Sequence, residues 1–164
     1  MVDAVYIHIP FCKSICTYCD FCKFLYNDEW VNTYLQKLEL EVKDRYMDEV
    51  IKTIYIGGGT PSILKQNHLD KLFEIISLFR TSSNLEFTFE CNLEDLTEEL
   101  IIYLKKQRVN RISIGVESFD EENLKLMNRH MDYQNLSNTL DLLRKNGINN
   151  INLDLMYALP NEEL

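Results

Sequence analysis

No run of this chain approaches 18 consecutive apolar residues, so no segment reads as a membrane-spanning helix. The N-terminal Met-Val-Asp-Ala-Val has neither the basic start nor the apolar stretch of a secretory signal, and the expectation is a cytoplasmic protein. Basic residues are scarce, 17 Lys and Arg against 26 Asp and Glu, and they form no stripe; the net charge of −9 excludes nucleic acid as an expected partner. Acidic groups such as Asp44-Asp48-Glu49 and Glu94-Asp95-Glu98-Glu99 read as solvated helix faces. No linker or low-complexity segment interrupts the 164 residues, a length that suits one domain with an ordinary core.

What the chain does have is a concentration of sulfur. Four of its five cysteines fall within residues 12–22, whereas a disulfide framework would spread them along the chain. Cys12, Cys16 and Cys19 form a C-x₃-C-x₂-C row directly after the strand-like run Val5-Tyr6-Ile7-His8-Ile9. Three thiolates from one short loop suit an iron–sulfur cluster. A 4Fe-4S cube held by three cysteines keeps one iron open to an outside ligand. Two other readings stay open: zinc, with Cys22 as a fourth sulfur, and a fully ligated electron-transfer cluster using all four cysteines. Structural zinc usually takes two ligand pairs from separate hairpins, and this sequence has no second pair.

Strand-like and helix-like patterns alternate. Strands are expected near 4–9, 53–57, 85–91, 110–116 and 150–156, and helices near 28–47, 67–79, 97–107, 120–127 and 134–146. Leu69, Leu72, Phe73, Ile76 and Phe79 carry the helical period. Asn67, Thr97 and Asp120 are candidate N-caps, and Gly147 suits a helix end. The alternation predicts an α/β fold with a parallel sheet and right-handed crossovers. The strands themselves alternate too. Ile7 and Ile9 oppose Tyr6 and His8; Phe87 and Phe89 oppose Glu86, Thr88 and Glu90; Ile112, Ile114 and Val116 oppose Arg111, Ser113, Gly115 and Glu117; Ile151, Leu153 and Leu155 oppose Asn150, Asn152 and Asp154. With the apolar set turned to the helices, the polar set lines a curved sheet whose lumen admits a polar ligand, unlike the filled interior of a sealed barrel.

Gly57-Gly58-Gly59-Thr60-Pro61 follows the second strand. Its spacing is neither a dinucleotide fingerprint nor a P-loop, but glycines let backbone approach a ligand closely. Ligands of parallel α/β folds gather at that carboxyl edge. Glu90, Glu117 and Asp154 end three strands on the inward face, where they can hold hydroxyl and ammonium groups or pair with Arg111 or Arg129. Cys91 reads as a small buried hydrophobe, and His8 as a satisfied core histidine as readily as a ligand.

Taken in order, Tyr6-Ile-His-Ile-Pro-Phe-Cys12-x₃-Cys16-x-Tyr-Cys19-Asp-Phe, Gly57-Gly-Gly-Thr-Pro, Asn110-Arg-Ile-Ser-Ile-Gly-Val-Glu-Ser-Phe and Asn152-Leu-Asp-Leu-Met-Tyr-Ala-Leu-Pro resemble the radical SAM family. Within it they resemble the oxygen-independent coproporphyrinogen III oxidase-like group, and there the heme-chaperone type. The resemblance implies a parallel-stranded partial (β/α) barrel with about five β/α units present. It implies that Cys12, Cys16 and Cys19 ligate a 4Fe-4S cluster whose open iron takes S-adenosylmethionine. By the same resemblance Gly58, Gly59, Thr60, Tyr6 and Glu90 contact that cofactor, Glu117, Arg129 and Asp154 match positions for a second S-adenosylmethionine, and Tyr18 places an aromatic ring between cluster cysteines. The implied chemistry is one-electron cleavage of the sulfonium to a 5′-deoxyadenosyl radical, with an electron donor as partner. In the oxidase that radical initiates decarboxylation of a porphyrinogen propionate; the chaperone type binds heme and hands it to an acceptor protein.

Three departures refine the resemblance. The oxidase pattern has a further cysteine two residues after the third; here Cys19 is followed by Asp20-Phe21, the chaperone-like form, and Cys22 comes one place later. Glu117 replaces the usual glutamine, and Leu93 a common proline. The chain stops at Asn161-Glu-Glu-Leu, so the expectation is a radical SAM core truncated after its fifth strand, lacking the sixth strand and C-terminal domain of family members and inactive alone.

Overall fold

A computed structural model describes residues 2–130 and 132–159. In chain order the elements are β1 (Ala4–Ile9), β2 (Phe11–Cys12), β3 (Phe24–Leu25), α1 (Asp28–Arg45), β4 (Ile51–Gly58), α2 (Gln66–Ile76), β5 (Thr81–Cys91), α3 (Glu98–Lys106), β6 (Arg111–Glu117), α4 (Glu121–Leu126), α5 (Tyr133–Lys145) and β7 (Asn150–Leu155). Short 3₁₀ turns follow β4 and β5, at Pro61–Ile63 and Leu93–Asp95. The sheet order is β1-β4-β5-β6-β7, and every pairing in it is parallel. Spatial order thus equals chain order. Such a sheet winds in one direction, as in a barrel, and lacks the reversal of a doubly wound fold.

The alternation sorts the faces as expected. Ile7, Ile9, Phe87, Phe89, Ile112, Ile114 and Val116 are buried. On the helix side Phe73 of α2 packs its ring against Phe87, Phe89 and Tyr103, with centroids 5.6–6.1 Å apart. Leu155 departs from its neighbours and is exposed, because β7 is an edge strand with a sheet partner, β6, on one side among the described residues. Strand β5 begins at Thr81, ahead of the expected 85. Ser82, Ser83 and Asn84 carry no alternation, and an irregular register between Ile51 and Thr53 of β4 accommodates them.

Helix starts follow local side-chain chemistry. Thr97 and Asp120 cap α3 and α4, accepting from the N–H groups of Leu100 (3.2 Å) and Asn123 (2.8 Å). Asn27 and Asp132 cap α1 and α5 in the same way. Asn67 is not a cap: α2 begins at Gln66, with Lys65 at the N-cap, two residues earlier, and no side-chain bond there. The Lys65 carbonyl accepts from His68 and Leu69, both at 2.9 Å, and this seats His68 in the interior. Gly147, in the left-handed region at φ +78°, follows α5 as expected. Pro160 and the terminal Asn161-Glu-Glu-Leu lie outside the described residues.

His68 connects this helix to the cysteine loop. Its ring lies 2.9 Å from the Tyr26 hydroxyl and 3.1 Å from the Asn32 side-chain oxygen, while the Tyr26 N–H donates to the Cys12 carbonyl at 2.9 Å. Burial holds the His68 pKa below its ordinary 6.5, with the Asp28 charge opposing and the Lys65 charge assisting. The unfolded chain therefore takes up the proton more readily than the folded one. Stability is full above pH 6.5 and declines as pH falls below it. A series of urea unfolding midpoints is expected to fall across that window, and the slope is expected to flatten in H68Q.

Candidate functional site

The carboxyl edge of the sheet is where the cysteine loop, the glycine turn and the inward side chains meet. β1 runs through Pro10 into β2, which pairs with β3 in a parallel two-residue ladder, Phe11 opposite Phe24 and Cys12 opposite Leu25. The loop carrying Cys16 and Cys19 is closed off at its base by this ladder. Beside it the turn after β4 continues the β1 pairing: Gly59 N–H donates to the Ile9 carbonyl and Thr60 N–H to the Phe11 carbonyl, each at 2.8 Å. A Cβ at Gly59 would stand 2.7 Å from the Phe11 carbonyl oxygen, 2.9 Å from the Ile9 carbonyl oxygen and 2.9 Å from Cys12 Sγ. Only glycine lets the turn lie this close to the first cysteine. Gly58 adopts φ +116°, and its missing side chain leaves room for the His8 ring.

His8 is a satisfied structural histidine. Nδ1 lies 3.0 Å from the Tyr6 hydroxyl and Nε2 2.8 Å from the Cys22 carbonyl oxygen, which fixes the far end of the loop. The middle of the loop is held by the end of α4 and the turn that follows it. Thr17 Oγ1 donates to the Leu126 carbonyl at 2.6 Å, Thr17 N–H to the Met127 carbonyl at 3.3 Å, and Asn128 Nδ2 to the Ile15 carbonyl at 3.0 Å. Lys23 Nζ donates to the carbonyls of Cys19 and Phe21. The loop is thus pinned at both ends and in its middle.

Above the sheet edge lies a cavity of about 900 Å³, near the upper end of the roughly 300–1,000 Å³ typical of ligand sites. Cys12, Cys16, Cys19 and Tyr18 form one wall, and Gly58, Gly59 and Thr60 another; Glu90, Glu117, Asp154 and Arg129 complete it. Of the residues expected in the site, only Tyr6 stands outside this lining. Its ring packs 5.9 Å from that of Tyr55, whose hydroxyl donates to Glu90 Oε1 at 2.6 Å, so Tyr6 reaches the cavity through an intermediary. Glu90 Oε2 also accepts from Gly58 N–H at 2.9 Å. Asp154 is oriented by Ser113 Oγ at 3.0 Å and Asn152 Nδ2 at 2.7 Å. Arg111, a candidate partner for these acids, instead donates to Thr88 Oγ1 at 3.2 Å. Cys91 is buried, and burial raises its thiol pKa well above the ordinary value.

Two residues near Arg129 take backbone shapes that most side chains avoid. Glu117 has φ +66° where the β6–β7 register shifts, a bulge that re-aims its carboxylate. Asn128, at φ +55°, turns the chain after α4 so that Arg129 enters the cavity wall. Tyr18 lies among these charges, and its pKa is raised first by burial and then by the Glu117 carboxylate. The Cys12 thiol is pushed up by burial, a Thr60 hydrogen bond lowers it, and the neighbouring Cys19 and Cys16 sulfurs add a further upward push. All three sulfurs line the same cavity, and metal loading deprotonates a coordinating thiol outright.

The donor set fits a three-cysteine cluster. Cys22 is exposed and stands apart from the cavity lining, whereas the other three loop cysteines face it. Among the described residues no three His, Cys, Asp or Glu side chains converge on one ion, as a tetrahedral zinc requires. A cluster, by contrast, spreads its thiolates over separate irons. Ser113 lines the site as its inward register position implies, whereas Tyr55, Lys23, Asn92 and Asn128 belong to the lining and were not singled out from sequence. Inward alternation on the second strand could have found Tyr55; no sequence signal marks Asn128.

A parallel sheet wound in one direction, with a three-cysteine loop and a glycine turn at its carboxyl edge, defines a cofactor-binding partial α/β barrel. The family model described as the Radical SAM superfamily matches residues 6–164. The chain belongs to that superfamily. It is 40% identical over 168 residues to the heme chaperone HemW of Bacillus subtilis (strain 168), covering 99% of this chain and 44% of that protein. It is likewise 40% identical over 163 residues to HemW of Lactococcus lactis subsp. lactis (strain IL1403), covering 99% and 43%. The solved structure of coproporphyrinogen III oxidase (HemN) from Escherichia coli, a radical SAM enzyme, superposes with a TM-score of 0.87 at 28% identity, covering 96% of this chain and 37% of that one. The chain therefore spans less than half the length of each of these relatives.

The close fit at Gly59 yields a direct test. In G59A the new methyl group meets two backbone carbonyls that cannot move aside without breaking the seam, and the sulfur of Cys12, which must leave its place to avoid it. The variant is expected to lose most of its capacity to retain iron and sulfide after anaerobic reconstitution, measured as iron per chain, while circular dichroism shows the helices and sheet still formed.

Proposed function

We propose that this chain is the cofactor-binding core of a cytoplasmic heme chaperone of the radical SAM type. Cys12, Cys16 and Cys19 would hold a 4Fe-4S cluster, and S-adenosylmethionine would take the open iron. Together these groups supply one-electron cleavage of a sulfonium when bound. The observation that carries the reading is the convergence of three thiols, a close-packed glycine turn and an acidic wall with one arginine on a single cavity.

The chain's own residues divide the work of binding. Glu90, oriented by Tyr55 and Gly58, presents acceptors to an ammonium or hydroxyl group. Arg129 and Lys23 bring positive charge toward a carboxylate. The turn at Gly58–Thr60 admits the ligand's polar end to within reach of the backbone. Asp20 after the third cysteine, together with the likeness to heme chaperones, supports heme as cargo, to be passed to an acceptor protein, with an electron donor serving the cluster. Among the described residues no helix is long and apolar enough to cross a membrane.

A second reading, radical decarboxylation of a porphyrinogen, is favoured by one observation: Glu117, Arg129 and Asp154 line the same cavity, and by resemblance they match positions for a second S-adenosylmethionine.

Anaerobic reconstitution with iron and sulfide, followed by EPR of the reduced chain, separates these ideas from the alternatives. A cluster signal that changes on adding S-adenosylmethionine is expected, and it is expected to persist in C22A. Loss of the cluster in C22A, or a signal indifferent to the cofactor, would reject the open-iron reading. Heme added to the same preparation is expected to give a shifted Soret band under the chaperone reading and none under the oxidase reading.

A further inference from the structure

Arg129 makes a set of contacts that ligand binding alone does not call for. Nη1 lies 3.7 Å from Cys16 Sγ, within range of a hydrogen bond to sulfur. Nη2 donates to the Gly115 carbonyl at 2.6 Å and to Asn92 Oδ1 at 3.4 Å. One guanidinium thus ties the cysteine loop to β6 and to the turn after β5. Its own backbone N–H is fixed at 2.8 Å to the Leu124 carbonyl, and the adjoining residues of that segment hold the loop through Ile15 and Thr17. The group is placed by covalent neighbours and by two oxygen acceptors before any ligand arrives.

We propose that Arg129 is a positioning residue that acts through Cys16, holding that sulfur in place and raising the reduction potential of the cluster it ligates. The inference rests on the reading that Cys12, Cys16 and Cys19 hold a cluster. Its physical basis is charge. Reduction adds one electron, supplied by an external reductant, and leaves the site more negative with no bond made or broken. A cation hydrogen-bonded to a ligating sulfur stabilises the reduced form more than the oxidised one. An arginine guanidinium stays protonated throughout the accessible pH range, so the cation is permanent. Glu117 is the opposing anion in the same wall, and its removal acts in the reverse sense.

The test is an EPR-monitored redox titration of the anaerobically reconstituted full chain, without S-adenosylmethionine. R129Q is expected to shift the midpoint to more negative potential at unchanged iron content, R129K to shift it less, and E117Q to shift it upward. An R129Q chain with a full cluster and the wild-type midpoint would overturn the role of Arg129 while leaving the cluster reading intact. Failure of the wild-type chain to form any cluster would overturn both. Should R129Q fail to load iron, E117Q decides: a rise supports the proposal, and an unchanged or lower midpoint refutes it.

Discussion

The architecture of the site depends on a backbone ladder that continues past the end of the first strand. Gly59 and Thr60 donate to Ile9 and Phe11, so the turn after β4 and the approach to Cys12 are one hydrogen-bonded unit. Backbone bonds of this kind have fixed geometry and little freedom, whereas a loop held by side chains alone would retain much more. The absence of a Cβ at Gly59 permits the two segments to close. Everything above the sheet edge is then placed relative to that seam: the first thiol directly, and the other two through a loop tethered by Cys22, Ile15, Thr17 and Cys19.

Charge is distributed unevenly around the cavity. The chain carries nine more acidic than basic residues, yet the wall nearest the sulfurs holds Arg129 and Lys23. The acids Glu90 and Asp154 lie along the strand ends, each already bonded to a neighbouring hydroxyl. The cavity thus offers both cationic and anionic side chains to whatever enters it. The arrangement is pre-set by the protein, which lowers the reorganisation cost of binding a charged ligand.

Much of this was legible in the chain. Period-two alternation located the strands and identified Glu90 and Asp154 as inward, since a pleated strand leaves no other choice once one face is apolar; Glu117 lines the cavity too, but from a bulge that alternation does not foresee. Cap residues placed α3 and α4 correctly because their bonds span only three residues. The same logic misplaced the start of α2 at Asn67, where tertiary seating of His68 overrode local preference. What stayed hidden was long-range. Thr17 meets Leu126 and Asn128 meets Ile15 across more than a hundred positions, and neither residue type announces such a partner. Tyr55 was hidden by omission, for its strand alternates like the rest.

Spatial order matching chain order has a consequence for assembly. Each strand docks on the one made just before it, so the sheet can grow by short-range closures whose entropic cost is modest. The cysteine loop is the exception. It emerges within the first two dozen residues, but its outer clamp, residues 124–129, is synthesised a hundred positions later. During synthesis the three thiols therefore spend most of the process half-seated, with their inner side fixed and their outer side open. The loop's final geometry is thus set last, when the segment from α4 to Arg129 reaches it.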